Sequence, residues 1–300
     1  MSTVLSLQNI SKSYGRIKAL REVSFEVPAG SVFGILGPNG SGKTTLLGIV
    51  MDVLRPTGGT YAWFGNPPTE KQRRDIGTLL ETPNFYHYLS ARHNLEISAA
   101  IKQKSTSDIE RVLKLVRLYE RRDSKFQTYS LGMKQRLAIA ACLLGDPSVL
   151  VFDEPTNGLD PSGIAEIRQL IIDLAAAGKT IILASHLLAE VEKVCTHVAI
   201  LQQGVLIKSG DVGTALRRET WLELGASEME KLNEILVQLP HIKKIVRAGK
   251  TFQVYFEENA PEADWLNQYC FERGIALNHL QVKQISLESA FIELTNNASN

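Results

Sequence analysis

The sequence predicts an α/β protein built on a mostly parallel sheet, followed by a smaller α+β domain. Three observations carry this expectation. Short apolar runs at 31–36, 149–152 and 180–184 read as strands buried on both faces, as parallel strands are. Helical patterns at 45–54, 162–177 and 187–195 alternate with them. After Arg217 the order becomes β-α-β-β-α-β, the split-βαβ, ferredoxin-like pattern.

In chain order, Val4 to Ile10 and Ala19 to Val27 read as short strands, and Pro28-Ala29-Gly30 as a turn. Ser31 to Leu36 is an apolar strand that runs into a Gly-rich loop and then a helix from Thr45 to Leu54. Arg55-Pro56-Thr57-Gly58-Gly59 breaks that helix. Ile76 to Leu80 is a further strand, and the stretch from about Tyr86 to Asp146 reads as mostly helical. Val198 to Leu201 and Val205 to Ser209 form a hairpin around Gln202-Gln203-Gly204. In the second domain Ser227 and Glu230 have capping-box spacing for a helix reaching about Leu239, closed by Pro240. Ile242 to Val246 and Thr251 to Phe256 form a hairpin, Pro261 to Arg273 a helix, Leu277 to Val282 a strand, and Ser286 to Leu294 a last helix.

The 300 residues carry 33 Lys+Arg against 32 Asp+Glu, so no bulk field argues for nucleic acid. The charge is divided: residues 221–300 hold 7 basic and 11 acidic side chains, a net of −4, which leaves +5 in the rest. Cys142, Cys195 and Cys270 are far apart, which disfavours a zinc cluster or a disulfide framework. No apolar run approaches the roughly 20 residues that cross a bilayer. The N-terminus lacks the basic-then-apolar design of a signal peptide. A reduced cytosolic compartment is the expectation.

Gly37-Pro38-Asn39-Gly40-Ser41-Gly42-Lys43-Thr44 fits G-x-x-x-x-G-K-[ST] between a strand and a helix. Glycines let consecutive backbone N–H groups curl around phosphate oxygens, and the helix N-terminus adds partial positive charge. Lys43 is expected on the β- and γ-phosphates and Thr44 on Mg²⁺, with Thr45 next in the nucleotide-binding stretch. Val149 to Phe152 runs into Asp153 and Glu154. Asp153 fits an acid that holds Mg²⁺, and Glu154 a base that polarises water.

With these motifs the chain resembles the ATP-binding subunits of ABC transporters. Tyr14 matches the aromatic that stacks on adenine. Tyr129-Ser130-Leu131-Gly132-Met133 resembles the signature, usually LSGGQ, with Ser130 and Gly132 retained and Tyr129, Leu131 and Met133 departing. The Leu131/Met133 variant is similar to the drug- and bacitracin-export branch. Asn157-Gly158-Leu159-Asp160 resembles the loop that faces the other subunit, and His186 the γ-phosphate histidine. Glu81 stands where the family usually has Gln, and the resemblance implies that it binds at the ATP site and ligates Mg²⁺ or its water.

The resemblance covers about residues 3–215. It implies a P-loop NTPase fold (ABC ATPase) over 1–217, with a helical subdomain at about 83–146. Residues 218–300 would be an accessory or regulatory domain. It also implies ATP hydrolysis with Mg²⁺, a head-to-tail dimer around two ATP molecules, and a separate transmembrane permease. The chain would sit peripherally on the cytoplasmic face of the membrane. The ending, Ser286 to Thr295, resembles export-type subunits. Phe85, Tyr86 and Tyr88 are candidates for the permease contact. The rival reading is a soluble ABC-type ATPase with a ligand-sensing C-terminal domain, in which Trp221, Trp265, Tyr255 and Tyr269 line a pocket rather than fill a core.

Overall fold

The computed structural model describes residues 2–80, 84–212, 220–256 and 261–284. The chain divides into two compact units, within residues 1–215 and 216–296.

The first unit begins with β1 (Thr3–Tyr14), β2 (Ile17–Pro28), β3 (Val32–Leu36), α1 (Lys43–Val50), β4 (Gly58–Trp63), α2 (Glu70–Arg74) and β5 (Ile76–Leu79). The helical stretch supplies α3 (Ala91–Lys102), α4 (Ile109–Leu115) and α5 (Leu131–Cys142). Next come β6 (Val149–Asp153), α6 (Pro161–Ala176), β7 (Thr180–Ser185), α7 (Leu188–Val194), β8 (His197–Gln202) and β9 (Val205–Asp211).

A six-stranded sheet runs β5-β6-β7-β3-β8-β9, parallel except for the β8/β9 hairpin. Every residue of β3, β6 and β7 is buried, which is why these strands are continuous apolar runs. Leu36 pairs with Ser185, and Asp153 with Ala184. The carboxyl ends of β3, β7 and β6 are therefore level, and the loops that leave them open onto one edge. That edge is where open α/β sheets bind ligands.

Two features depart from the expectation. Strands β1 and β2 are 12 residues each, and with β4 they form a separate antiparallel sheet, β2-β1-β4. Gly58-Gly59, read as a break, is instead the entry to β4. Trp63 at the end of β4 is fully buried and donates its indole N–H to Val50 O at 2.9 Å. Helix α1 also stops earlier than Leu54. Asp52 has φ 59, and the amides of Val53 and Leu54 turn back onto Gly48 O.

The second unit contains β10 (Thr220–Ala226), α8 (Met229–Val237), β11 (Ile242–Ala248), β12 (Thr251–Phe256), α9 (Ala263–Glu272) and β13 (Leu277–Gln284). Its antiparallel sheet is ordered β11-β12-β10-β13, so each helix crosses between strands that are not neighbours. Leu222, Leu224, Phe252 and Val254 face Leu232, Leu236, Leu266 and Cys270 in one core. The Ser227/Glu230 capping box does not form. The helix opens at Glu228 without a side-chain cap, and Glu230 pairs with Arg247 at 2.9 Å. The helix expected at 286–294 lies outside the described residues.

All three cysteines are free and buried. Burial pushes the Cys142 thiol up to about 11, raises Cys195 further and also raises Cys270. Thiolate is the reactive form, so at pH 8 the folded protein should resist a thiol reagent and label only on unfolding. Stoichiometric labelling of any cysteine before the unfolding transition would contradict this packing.

Candidate functional site

The site starts from the loop between β3 and α1. A Cβ on Gly37 would come within 2.3 Å of Leu201 O, so the loop lies directly on β8. Gly42 has φ 107, and a Cβ there would meet Ala19 O at 2.7 Å. Because Gly42 is the N-cap of α1 and offers no side-chain cap, the amides of the first turn stay open for an anion. The amide of Gly204 in the β8/β9 turn donates to Ser41 O at 3.0 Å and supports the loop from behind.

Lys43 is almost fully buried. Its ammonium donates to Gly37 O at 2.8 Å and Pro38 O at 3.2 Å, so it fills the centre of its own loop. Ser41 Oγ is buried there without a hydrogen-bond partner. A buried hydroxyl left unmatched is costly, and phosphate oxygens would satisfy it.

Asp153 ends β6 and is 4% exposed. Glu154 follows with φ 48, the left-handed region that a non-glycine residue enters at some cost. Its amide donates to Ala184 O at 3.0 Å, which holds this turn against β7. The turn points the carboxylate at two groups. Glu154 Oε1 is 3.5 Å from Lys43 Nζ, and Oε2 is 2.8 Å from His186 Nδ1. The His186 amide also donates to Oε2 at 3.4 Å. Lys43, Glu154 and His186 thus come together from the ends of three neighbouring strands.

Tyr14 pairs with Ile17 across the tip of the β1/β2 hairpin and is half exposed. The Lys12 ammonium lies 5.0 Å from its ring centroid. Two residues beyond Ile17 on β2 is Ala19, whose carbonyl packs on Gly42, so the tyrosine ends the strand paired with the one that borders the loop. Thr44 is exposed at the start of α1, and Thr45 follows it in the first turn. The hydroxyl of Thr44 and the carboxylate of Asp153 are hard oxygen donors that suit a divalent cation such as Mg²⁺.

Ser130 and Gly132 lie at the N-terminus of α5, and Ser130 bonds within its own helix rather than to Lys43, Glu154 or His186. Ser130 Oγ accepts the Met133 amide at 3.3 Å, and a Cβ on Gly132 would meet nothing within 4 Å. Leu131 is half exposed, and a Cβ on Gly158 would touch it at 3.3 Å. Asp160 caps α6 by accepting the Gly163 amide at 3.0 Å. Glu81 lies outside the described residues.

The four C-terminal aromatics do not converge. Trp221 stacks on Tyr255 at 5.7 Å, on the sheet face opposite the core residues Leu222 and Leu224. Trp265 stacks on Tyr269 at 5.1 Å along α9, with Trp265 half exposed. Strand alternation places the first pair across the sheet from the helices, so no pocket is shared by all four.

Residues 20–157 match the family model described as "ABC transporter". Over 98% of this chain and 97% of the relative, the sequence is 32% identical to the bacitracin transport ATP-binding protein BcrA of Enterococcus faecalis. It is 38% identical to the lantibiotic transport ATP-binding protein SrtF of Streptococcus pyogenes, over 68% of this chain and 89% of the relative. A bacterial ABC transporter cassette solved as a dimer superposes with a TM-score of 0.62 at 28% identity, covering 69% of this chain and 98% of that one.

Proposed function

The chain belongs to the ABC transporter family as an ATP-binding protein, and from that premise we propose that two copies clamp two ATP molecules and drive a separate membrane permease. The observation that carries this reading is the convergence of Lys43, Glu154 and His186 at one edge of the sheet, with Ser130 and Gly132 on a different element, the open N-terminus of α5. One chain reaches the phosphates from the loop side only. The open end of α5 needs a second chain's nucleotide to face.

In this reading Gly37 to Thr45 hold the phosphates, with Lys43 moving from its own carbonyls onto the β- and γ-phosphates. Tyr14 stacks on adenine. Glu154 accepts a proton from the attacking water, and His186 holds the Glu154 carboxylate and meets the γ-phosphate. Ser130 and Gly132 bind the partner's γ-phosphate, while Asp160 sets the turn that faces the partner. Thr44 and Asp153 would hold Mg²⁺, which neutralises charge on the phosphates when bound.

Among the described residues no helix is long and apolar enough to cross a membrane. We assign the chain to the cytoplasmic face of the membrane, held there by its permease. Tyr86 and Tyr88, 52% and 65% exposed and packed edge to face at 5.9 Å, form the contact we assign to that partner. The full-length likeness to a bacitracin transport protein supports export, with peptide antibiotics as the substrate class.

Composite sites make turnover depend on association. Phosphate release per chain should rise with protein concentration and show a Hill coefficient above one for ATP. Turnover per chain that stays constant across a hundredfold dilution would contradict the dimeric reading.

A further inference from the structure

Tyr129 lies next to Ser130 and takes part in none of the contacts described so far. Its side chain is buried, and its hydroxyl donates to Arg121 O at 2.6 Å. Burial raises its phenol, so it stays a donor at neutral pH. Its ring lies 6.2 Å from Phe126, which is fully buried. Phe126 in turn meets Phe85 edge-on at 5.2 Å and His87 at 5.6 Å.

The backbone follows the same route. The Phe126 amide donates to Leu89 O at 2.9 Å, and the Gln127 amide to His87 O at 3.0 Å. Loop 84–90 is itself fixed by the buried Asn94, which accepts the Tyr86 amide at 2.8 Å and donates to Tyr86 O and Ser90 O. One continuous packed path therefore runs from loop 84–90 through Phe126 and Tyr129 to the cap of α5.

We propose that Tyr129 is a positioning residue: its hydroxyl and ring hold Ser130 and the open end of α5 at a set orientation, tied to loop 84–90. The inference rests on Ser130 acting on the partner's ATP. Tyr129 aims that serine, and loop 84–90 controls the aim. A shift of loop 84–90 moves Phe126, and Tyr129 passes the displacement to Ser130 because close-packed side chains do not absorb it. Positioning at such a site is worth large factors in rate.

The test is a cycle of Tyr129→Phe and Ser130→Ala in the full chain, read by ATP turnover. Tyr129→Phe keeps the ring and removes one hydrogen bond. It should lower turnover about tenfold, the scale of one lost buried hydrogen bond, and leave ATP affinity of the dilute monomer unchanged. In the Ser130→Ala background the same change should cost only about threefold or less, because the serine hydroxyl it aims is gone and only Gly132 and the α5 amides remain. A purely stabilising role would give the same factor in both backgrounds, and that result, or wild-type turnover in Tyr129→Phe, overturns the proposal. Wild-type turnover in Ser130→Ala alone would overturn the two-chain ATP reading itself and this inference with it.

Discussion

Glu154→Gln is expected to lower ATP turnover by about 10²–10⁴-fold, the range of a general base, while ATP binding survives. Gln has nearly the same shape, so its carbonyl or amide can still meet His186, where the carboxylate now lies at 2.8 Å. What it loses is basicity. It also loses a negative charge 3.5 Å from Lys43, beside the proposed γ-phosphate. Removing a charge that repels phosphate should hold or raise ATP affinity. The variant should therefore accumulate as an ATP-bound dimer, visible by sedimentation and absent with ADP. Its melting temperature should change little, because the left-handed backbone at 154 is retained and equally strained. Turnover within threefold of wild type would remove Glu154 from the role of base.

Lys43→Ala is the second large effect. In the structure the ammonium is buried against two loop carbonyls at 2.8 and 3.2 Å. Those acceptors can be exchanged for phosphate oxygens without moving the backbone. Each charge-assisted hydrogen bond is worth about 1.5–3 kcal/mol, so ATP affinity should fall about 10–100-fold or more. The change also takes away the cation next to Glu154, leaving two adjacent carboxylates to face a polyanion. Titration with a fluorescent ATP analogue measures the loss directly. Unchanged affinity would mean that phosphate binds elsewhere.

Lys43 was legible from the Gly-rich loop between a strand and a helix, and Asp153 and Glu154 from the apolar strand that follows such a loop in the chain, since the carboxyl ends of parallel strands are where ligands bind. His186 was legible only through the family resemblance, because one histidine after a strand carries no pattern of its own. Their mutual geometry was not legible. That Glu154 meets both Lys43 and His186 depends on the β3/β7 and β6/β7 registers, which pair residues far apart in the chain. The second sheet was missed for a related reason. Gly58-Gly59 reads locally as a break, and only pairing with β1 makes it a strand. Ser227 and Glu230 show the opposite error: the spacing fits a cap, but Arg247 on a neighbouring strand takes the glutamate. Tyr129 looked only like a departure from a motif, because its hydroxyl partner, Arg121 O, is a backbone atom that no side-chain pattern marks.

If each ATP is held by two chains, mixing two defective proteins restores activity. A Lys43→Ala chain keeps Ser130, and a Ser130→Ala chain keeps Lys43. In a head-to-tail pair of the two, one site is complete and the other lacks both groups. Phosphate release from the equimolar mixture should exceed the sum of the separate proteins several-fold at equal total chain. Release no greater than that sum would mean that no site is shared between chains.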